Sequence, residues 1–175
     1  MYVINDIKDI ECFKVKEKKS EQKGFKNMKV YVFKEDGHYA DVVFKCFVPF
    51  LSKSFKPAAK MKYLNHVLGK NKKTRKEQDA VFFYARNVVF EEGGGVLDLT
   101  ANNFSAKKDC TIRYLYISNS LKCENLKAVM VAAKDIDAEN LEADTISAFK
   151  TLRAKKLVIG DTELFDVKST GGLMQ

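Results

Sequence analysis

Residues 121–148 read LKCEN LKAVM VAAKD IDAEN LEADT ISA when broken into fives. Leu121, Leu126, Val131, Ile136, Leu141 and Ile146 recur at an unbroken spacing of five, a period that neither an α-helix nor a β-strand has. Two positions after each comes a small residue: Cys123, Ala128, Ala133, Ala138, Ala143 and Ala148. The same unit occurs earlier as Leu99-Thr100-Ala101 and Phe104-Ser105-Ala106. Ile112 and Ile117 keep the spacing in a shifted phase, and Leu152 and Leu157 keep it after a one-residue insertion. A fixed internal period is the signature of a solenoid, so this pattern decides the fold before any other feature.

Each unit is expected to form one short side of a square turn, with the large apolar residue inward and the small one near the corner. Four units, about 20 residues, would complete a turn stacked about 4.8 Å above the last. The 59 residues from Leu99 to Leu157 then make about three turns, near the minimum for a solenoid, so caps are required. The expected fold class is mainly β, a short right-handed quadrilateral β-helix capped by an N-terminal α+β region. Residues 1–92 would be the basic cap, 96–167 the β-helix and 168–175 a C-terminal tail.

Asp98-Leu99, Asn103-Phe104, Asn125-Leu126, Asp135-Ile136 and Asn140-Leu141 each set an Asp or Asn before the central apolar residue. By these pairs about a third of the chain resembles the pentapeptide-repeat family. Ala departs from the usual family pattern, which has it two positions before the central residue, where this chain has Glu124 or Glu139. Long bacterial repeats of the type Asn-Ile-x-Ala-x are similar in register. The resemblance implies a right-handed β-helix, and some members of the family present an acidic face to DNA-handling enzymes.

The first ninety residues have another texture. Residues 29–33 (KVYVF) and 39–47 (YADVVFKCF) flank Glu35-Asp36-Gly37-His38, where Asp-Gly predicts a hairpin between two antiparallel strands. Pro49 ends that ribbon. Pro57 opens an expected helix through about Leu68, with Met61, Leu64, Val67 and Leu68 on one face and Gly69 as its stop. Residues 80–90 (AVFFYARNVVF) read as one long strand or two short ones, and Gly93-Gly94-Gly95 as a flexible joint.

The chain contains no H-E-x-x-H, G-x-S-x-G, P-loop or G-x-G-x-x-G motif. His38 and His66 are expected at the surface, and Cys12, Cys46, Cys110 and Cys123 lack the spacing of a zinc site or disulfide framework and read as buried hydrophobes. No catalytic, cofactor or metal role is therefore expected. The N-terminus has no apolar signal region and the chain no run of eighteen apolar residues, so a cytoplasmic protein without membrane contact is expected.

The net charge is +8, and residues 1–85 hold 19 Lys and Arg against 10 Asp and Glu. Two basic clusters stand out: Lys70, Lys72, Lys73, Arg75 and Lys76, and Lys14, Lys16, Lys18 and Lys19 with Phe13 and Phe25 nearby. Such clusters suit phosphates or an acidic partner surface. Asp137, Glu139, Glu142 and Asp144 read as a solvated acidic face or a protein-docking stripe. The expected function is non-catalytic binding to a protein or nucleoprotein complex, the type seen in phage or mobile-element inhibitors of nucleic-acid-handling host complexes. The alternative is a nucleic-acid-binding protein that uses the basic half, with the β-helix as scaffold or as a homodimer surface at one of its ends.

Overall fold

A computed structural model describes residues 1–21, 25–50 and 78–174, and these are mainly strand. The helix expected from Pro57 through Leu68, and His66 within it, lie outside the described residues. Among the described residues the helical element is a 3-10 segment, Ile7–Phe13.

Strands that lie side by side are distant in sequence and run parallel. The first ladder joins β1 (Tyr2–Ile4), β6 (Asp41–Phe44), β9 (Asn87–Phe90) and the starts of β11 (Asn103–Ile117) and β12 (Ser120–Ile159). The second joins β7 (Val48–Pro49) and the start of β10 (Gly94–Ala101) to later parts of β11 and β12. The third joins β3 (Phe25–Val32), β8 (Gln78–Tyr84) and the ends of β10 and β11 to β12, and β2 (Lys14–Lys19) adds an antiparallel edge to β3.

The register sets the length of each return. Phe82 pairs with Asp98, Asp98 with Tyr114 and Tyr114 with Met130, each sixteen residues on, and Phe104 pairs with Leu121, seventeen on. Three five-residue units and a corner residue thus bring the chain back beside itself, where the square turn predicted four units. Phe104, Ile112 and Leu115, one from each ladder, belong to a single buried cluster.

In-register stacking turns the repeat into columns. Tyr31, Phe83, Leu99, Leu115 and Val131 align in one, and Val42, Val88, Phe104 and Leu121 in another, each residue at most 2% exposed. The small residues from Cys123 to Ala148 are buried too, as a second inward position beside the large one.

The strands expected as an α+β cap extend these same ladders with more chain between partners: Val3 pairs with Val43, Val42 with Val88 and Val30 with Phe82. Their interior is aromatic, with Phe44 stacked on Phe83 at 5.6 Å and edge-on to Phe90 at 5.2 Å. The 3-10 segment packs on β1 and β3, burying Ile10 and setting Phe13 4.7 Å from both Tyr2 and Phe33.

Two turns differ from expectation. The Asp36-Gly37 hairpin forms, but it joins only β4 (Lys34–Glu35) and β5 (His38–Tyr39), because β3 and β6 enter different ladders. The glycine run is a packed corner rather than a flexible joint. Gly94, at φ +122, lies so close to the Val48 backbone that a Cβ there would collide with it.

At the other end the chain reverses through Gly160-Asp161 and retraces its last return backwards. β13 (Thr162–Ser169) runs antiparallel to β12, with Leu164 on Leu157 and Ser169 on Leu152, and β14 (Leu173–Met174) continues against residues 147–148. Residues 168–174, expected as a tail, thus contribute to both closing strands.

Two outcomes follow for stability. Leu141→Asp buries an unpaired charge and is expected to cost at least about 4 kcal/mol, whereas Lys127→Asp, on the outward side, stays within about 0.5 kcal/mol by thermal melting. Gly94→Ala combines strained φ with a backbone collision and is expected to cost about 3 kcal/mol or more. Gly37→Ala, at φ +80 in open space, costs about 1–2 kcal/mol.

Candidate interaction surfaces

Asp and Asn residues standing one position before inward apolar residues, or two in the case of Asn119, meet along the ladders. Asn87 Nδ2 donates to Asp41 Oδ1 at 2.7 Å, Asn103 Nδ2 to Asn87 Oδ1 at 2.7 Å, and Asn119 Nδ2 to Asn103 Oδ1 at 2.9 Å. Thr151 continues the line by donating to Asp135 at 2.7 Å. A second line runs from Asn140 to Asn125 at 2.6 Å and from Asn125 to Asp109 at 3.0 Å. Each amide donates to the residue one return earlier, and a carboxylate is the final acceptor. Arg86 closes the first line with Nε and Nη2 at 2.8 and 2.9 Å from the two Asp41 oxygens. The Arg86 guanidinium, against the opposing effect of burial, holds the Asp41 carboxyl below its ordinary range.

The predicted basic residues divide. Lys14, Lys16, Lys18 and Lys19 lie along the edge strand β2. Lys14 is held by Glu17 at 2.5 Å and Glu11 at 3.0 Å, and these bonds raise its pKa. Lys16, Lys18 and Lys19 are exposed. Lys70, Lys72, Lys73, Arg75 and Lys76 lie outside the described residues. Counting charges around them is still informative. Residues 51–77 hold nine Lys and Arg against Glu77 alone, so they carry the whole +8 and the remainder of the chain is balanced.

The predicted acidic residues do not stand together as one row. Asp137 and Glu139 line a shallow groove with Lys122, Arg153 and Lys155, and Glu139 pairs with Lys155 at 2.8 Å. Glu142 lines another with Lys127 and Lys156. Stacking explains the mixture, because Asp137, Glu139 and Glu142 have residues of adjacent returns as neighbours, and these include Lys122, Arg153, Lys155 and Lys127 as well as Glu124. Asp144 differs. Burial, and then the nearby Glu142 charge, push its carboxyl up to about 6.

The third ladder carries an outward face that the sequence reading missed. Tyr84, Thr100, Tyr116 and Ala132 fall in one column, and Tyr39 and Phe149 flank the same shallow groove. Beside it, Arg113, 5% exposed, pairs through Nε with Asp98 at 3.0 Å and lies over the Tyr114 ring at 4.6 Å. Burial raises the Asp98 pKa more than Arg113 lowers it. Tyr84 and Tyr116 are two returns apart, a signal legible only once the return length is known.

Among the described residues no three of His, Cys, Asp and Glu gather as a metal site would require. Cys110 and Cys123 are buried, and burial raises both thiols, Cys123 to about 12, so both stay protonated as small apolar residues. Cys12 is exposed and Cys46 half-buried, in contrast to the buried positions expected of all four. His38 is exposed, beside the hairpin turn. Among the described residues no helix is long and apolar enough to cross a membrane. Comparison with protein-family models, curated proteins and solved structures finds no match to this chain.

The two perturbed carboxyls give opposite pH dependences. Asp41, depressed on folding, contributes stability above its unfolded pKa that is lost as pH falls through its lower folded value. Asp144, raised on folding, contributes stability below its unfolded pKa that is lost as pH rises through about 6. Asp144→Asn is therefore expected to raise the melting temperature at about pH 7 and leave it unchanged at about pH 3, while Asp41→Asn lowers it at about pH 7.

Proposed function

We propose that the chain is a non-catalytic binding protein whose three ladders close into a short right-handed β-helix, and whose basic residues 51–77 attract a polyanion, nucleic acid free or within a nucleoprotein complex. The charge distribution carries this reading: +8 within 27 residues, against a balanced remainder. In the described part, cations are repeatedly matched to carboxylates, as in Arg86 with Asp41, Lys155 with Glu139 and Lys156 with Glu163. A stretch with nine cations and a single carboxylate in its sequence binds phosphates by displacing their condensed counterions.

Closure into a β-helix is supported by the single core shared by all three ladders and by a return length that stays within fifteen to seventeen residues. Right-handedness is what parallel strands joined by crossovers adopt in about 98% of cases. The likeness to the pentapeptide repeat rests on the Asp or Asn before the inward residue, and the corner hydrogen bonds give that preference a physical cause. Three sides rather than four is this chain's variation.

The test is binding to duplex and single-stranded nucleic acid across a salt series. The logarithm of the association constant is expected to fall linearly with the logarithm of salt concentration, with little sequence preference. Replacing Lys72, Lys73, Arg75 and Lys76 together by Ala flattens that slope by up to about 3–4 units, one per phosphate neutralised, while Asp137→Asn with Glu142→Gln leaves it intact. Absence of binding to either form at about 50 mM salt, where counterion release favours association strongly, overturns the polyanion reading.

A further inference from the structure

The two ends of the ladders are finished differently. At the N-terminal end the edge strand β2 carries four lysines in six residues, and the 3-10 segment packs on β1 and β3. Edge lysines discourage pairing with another chain. At the C-terminal end, β13 pairs among the described residues with β12 alone, and Thr162, Glu163, Leu164, Phe165, Asp166 and Lys168 along it are all exposed. Leu164 is 41% and Phe165 65% exposed. An eight-residue edge with one lysine and two bare apolar side chains lacks the usual protection.

From this free edge we propose that two copies of the chain associate about a two-fold axis by antiparallel pairing of β13 with β13, centred between Phe165 and Asp166. The outer three pairs of TELFDVKS are complementary in that register. Thr162 meets the partner's Ser169, Glu163 its Lys168, and Leu164 its Val167, while the central pair sets Phe165 opposite Asp166, where the strand turns through φ +50. Centring on Phe165 instead sets Leu164 against Asp166 and Glu163 against Val167; centring on Asp166 sets Phe165 against Val167 but Asp166 on itself and Leu164 against Lys168. Of the three registers, only the proposed one matches Glu163 with Lys168 and Leu164 with Val167.

Faces agree as well. Leu164 pairs across β12 with the inward Leu157, and Val167 with the inward Ala154, so both stand on the core side and meet in the dimer as a continuation of that core. Lys168 stands directly opposite Arg153, and like charges across a pair of strands repel. A second copy's Glu163 on the open side of Lys168 relieves that repulsion. Within its own chain Glu163 also contacts Lys156 at 2.7 Å, so it would bridge two cations. A two-fold contact uses the same strand on both copies, which closes the assembly at a dimer. This inference is independent of the polyanion reading above.

Sedimentation equilibrium on the full chain, nuclease-treated and at about 0.15 M salt so that nucleic acid bridges nothing, reads the result directly. The 19.9 kDa chain is expected to sediment at twice that mass. Glu163→Lys and Lys168→Glu each set like charges opposite one another across the axis and give monomers; the double variant restores the dimer. Lys168→Glu replaces a like pair with Arg153 by an opposite one, so it keeps the test intact even if Glu163→Lys, which loses the Lys156 contact, fails to fold. A monomeric wild type, a Lys168→Glu variant that dimerises like wild type, or a folded double variant that stays monomeric overturns the proposal. The four-alanine variant of residues 72–76 dimerises normally, which separates this outcome from failure of the polyanion reading.

Discussion

Parallel, in-register stacking sets each residue above the one about sixteen positions earlier, so side chains must be compatible in columns rather than one by one. Inside, it sets apolar residue on apolar residue, Leu99, Leu115 and Val131 in one column and Val88, Phe104 and Leu121 in another. Outside, it sets some opposite charges side by side, as Glu139 and Lys155, and some like charges, as Arg153 and Lys168. The core, the grooves and the corner lines are all consequences of one register.

Corners pose the harder problem, since a turning chain leaves backbone and side-chain polar groups without strand partners. Asn is suited to the position because its side chain both donates and accepts, so Asn87, Asn103 and Asn119 can hand a hydrogen bond from one return to the next. An Asn line must end on a group that only accepts, and Asp41 and Asp109 serve at the N-terminal ends. Among the described residues the third ladder shows no such line. Its corner residue Asp98 is committed instead to Arg113.

What could be read from the sequence was the spacing of five and the inward identity of Leu121, Leu126, Val131, Ile136, Leu141 and Ile146. All are buried. The number of units per return could not be read, because a period of five is shared by three-sided and four-sided windings, and only the cross-strand register separates them. The Asp-Leu and Asn-Phe pairs were visible as dipeptides, but their function depends on partners sixteen residues away. β1, β3 and β6 were hidden more deeply, since their ladder partners are 40 to 53 residues on and no repeat survives across that interval. Of the candidate surfaces, the acidic residues could be read as a solvated face; Asp137 and Glu139 are exposed and Glu142 and Asp144 half-buried, and their mixing with Lys122, Arg153 and Lys155 follows from stacking that linear order does not display.

The backward-wound final strands have a consequence for how such a chain can change length. The two extremities carry different segments, the lysine-bearing β2 edge at one and the β13 edge proposed to join two copies at the other, and growth by adding units at either would cover it. Lengthening is cheap only in the interior, and only in whole returns. Duplicating about sixteen residues there raises the height by one strand spacing, about 4.8 Å, and leaves the finishing segments facing as before. Duplicating a single five-residue unit instead moves everything downstream on by one ladder, so that the stretch of β12 beneath Glu163 and Lys168 no longer continues the ladders it continues now.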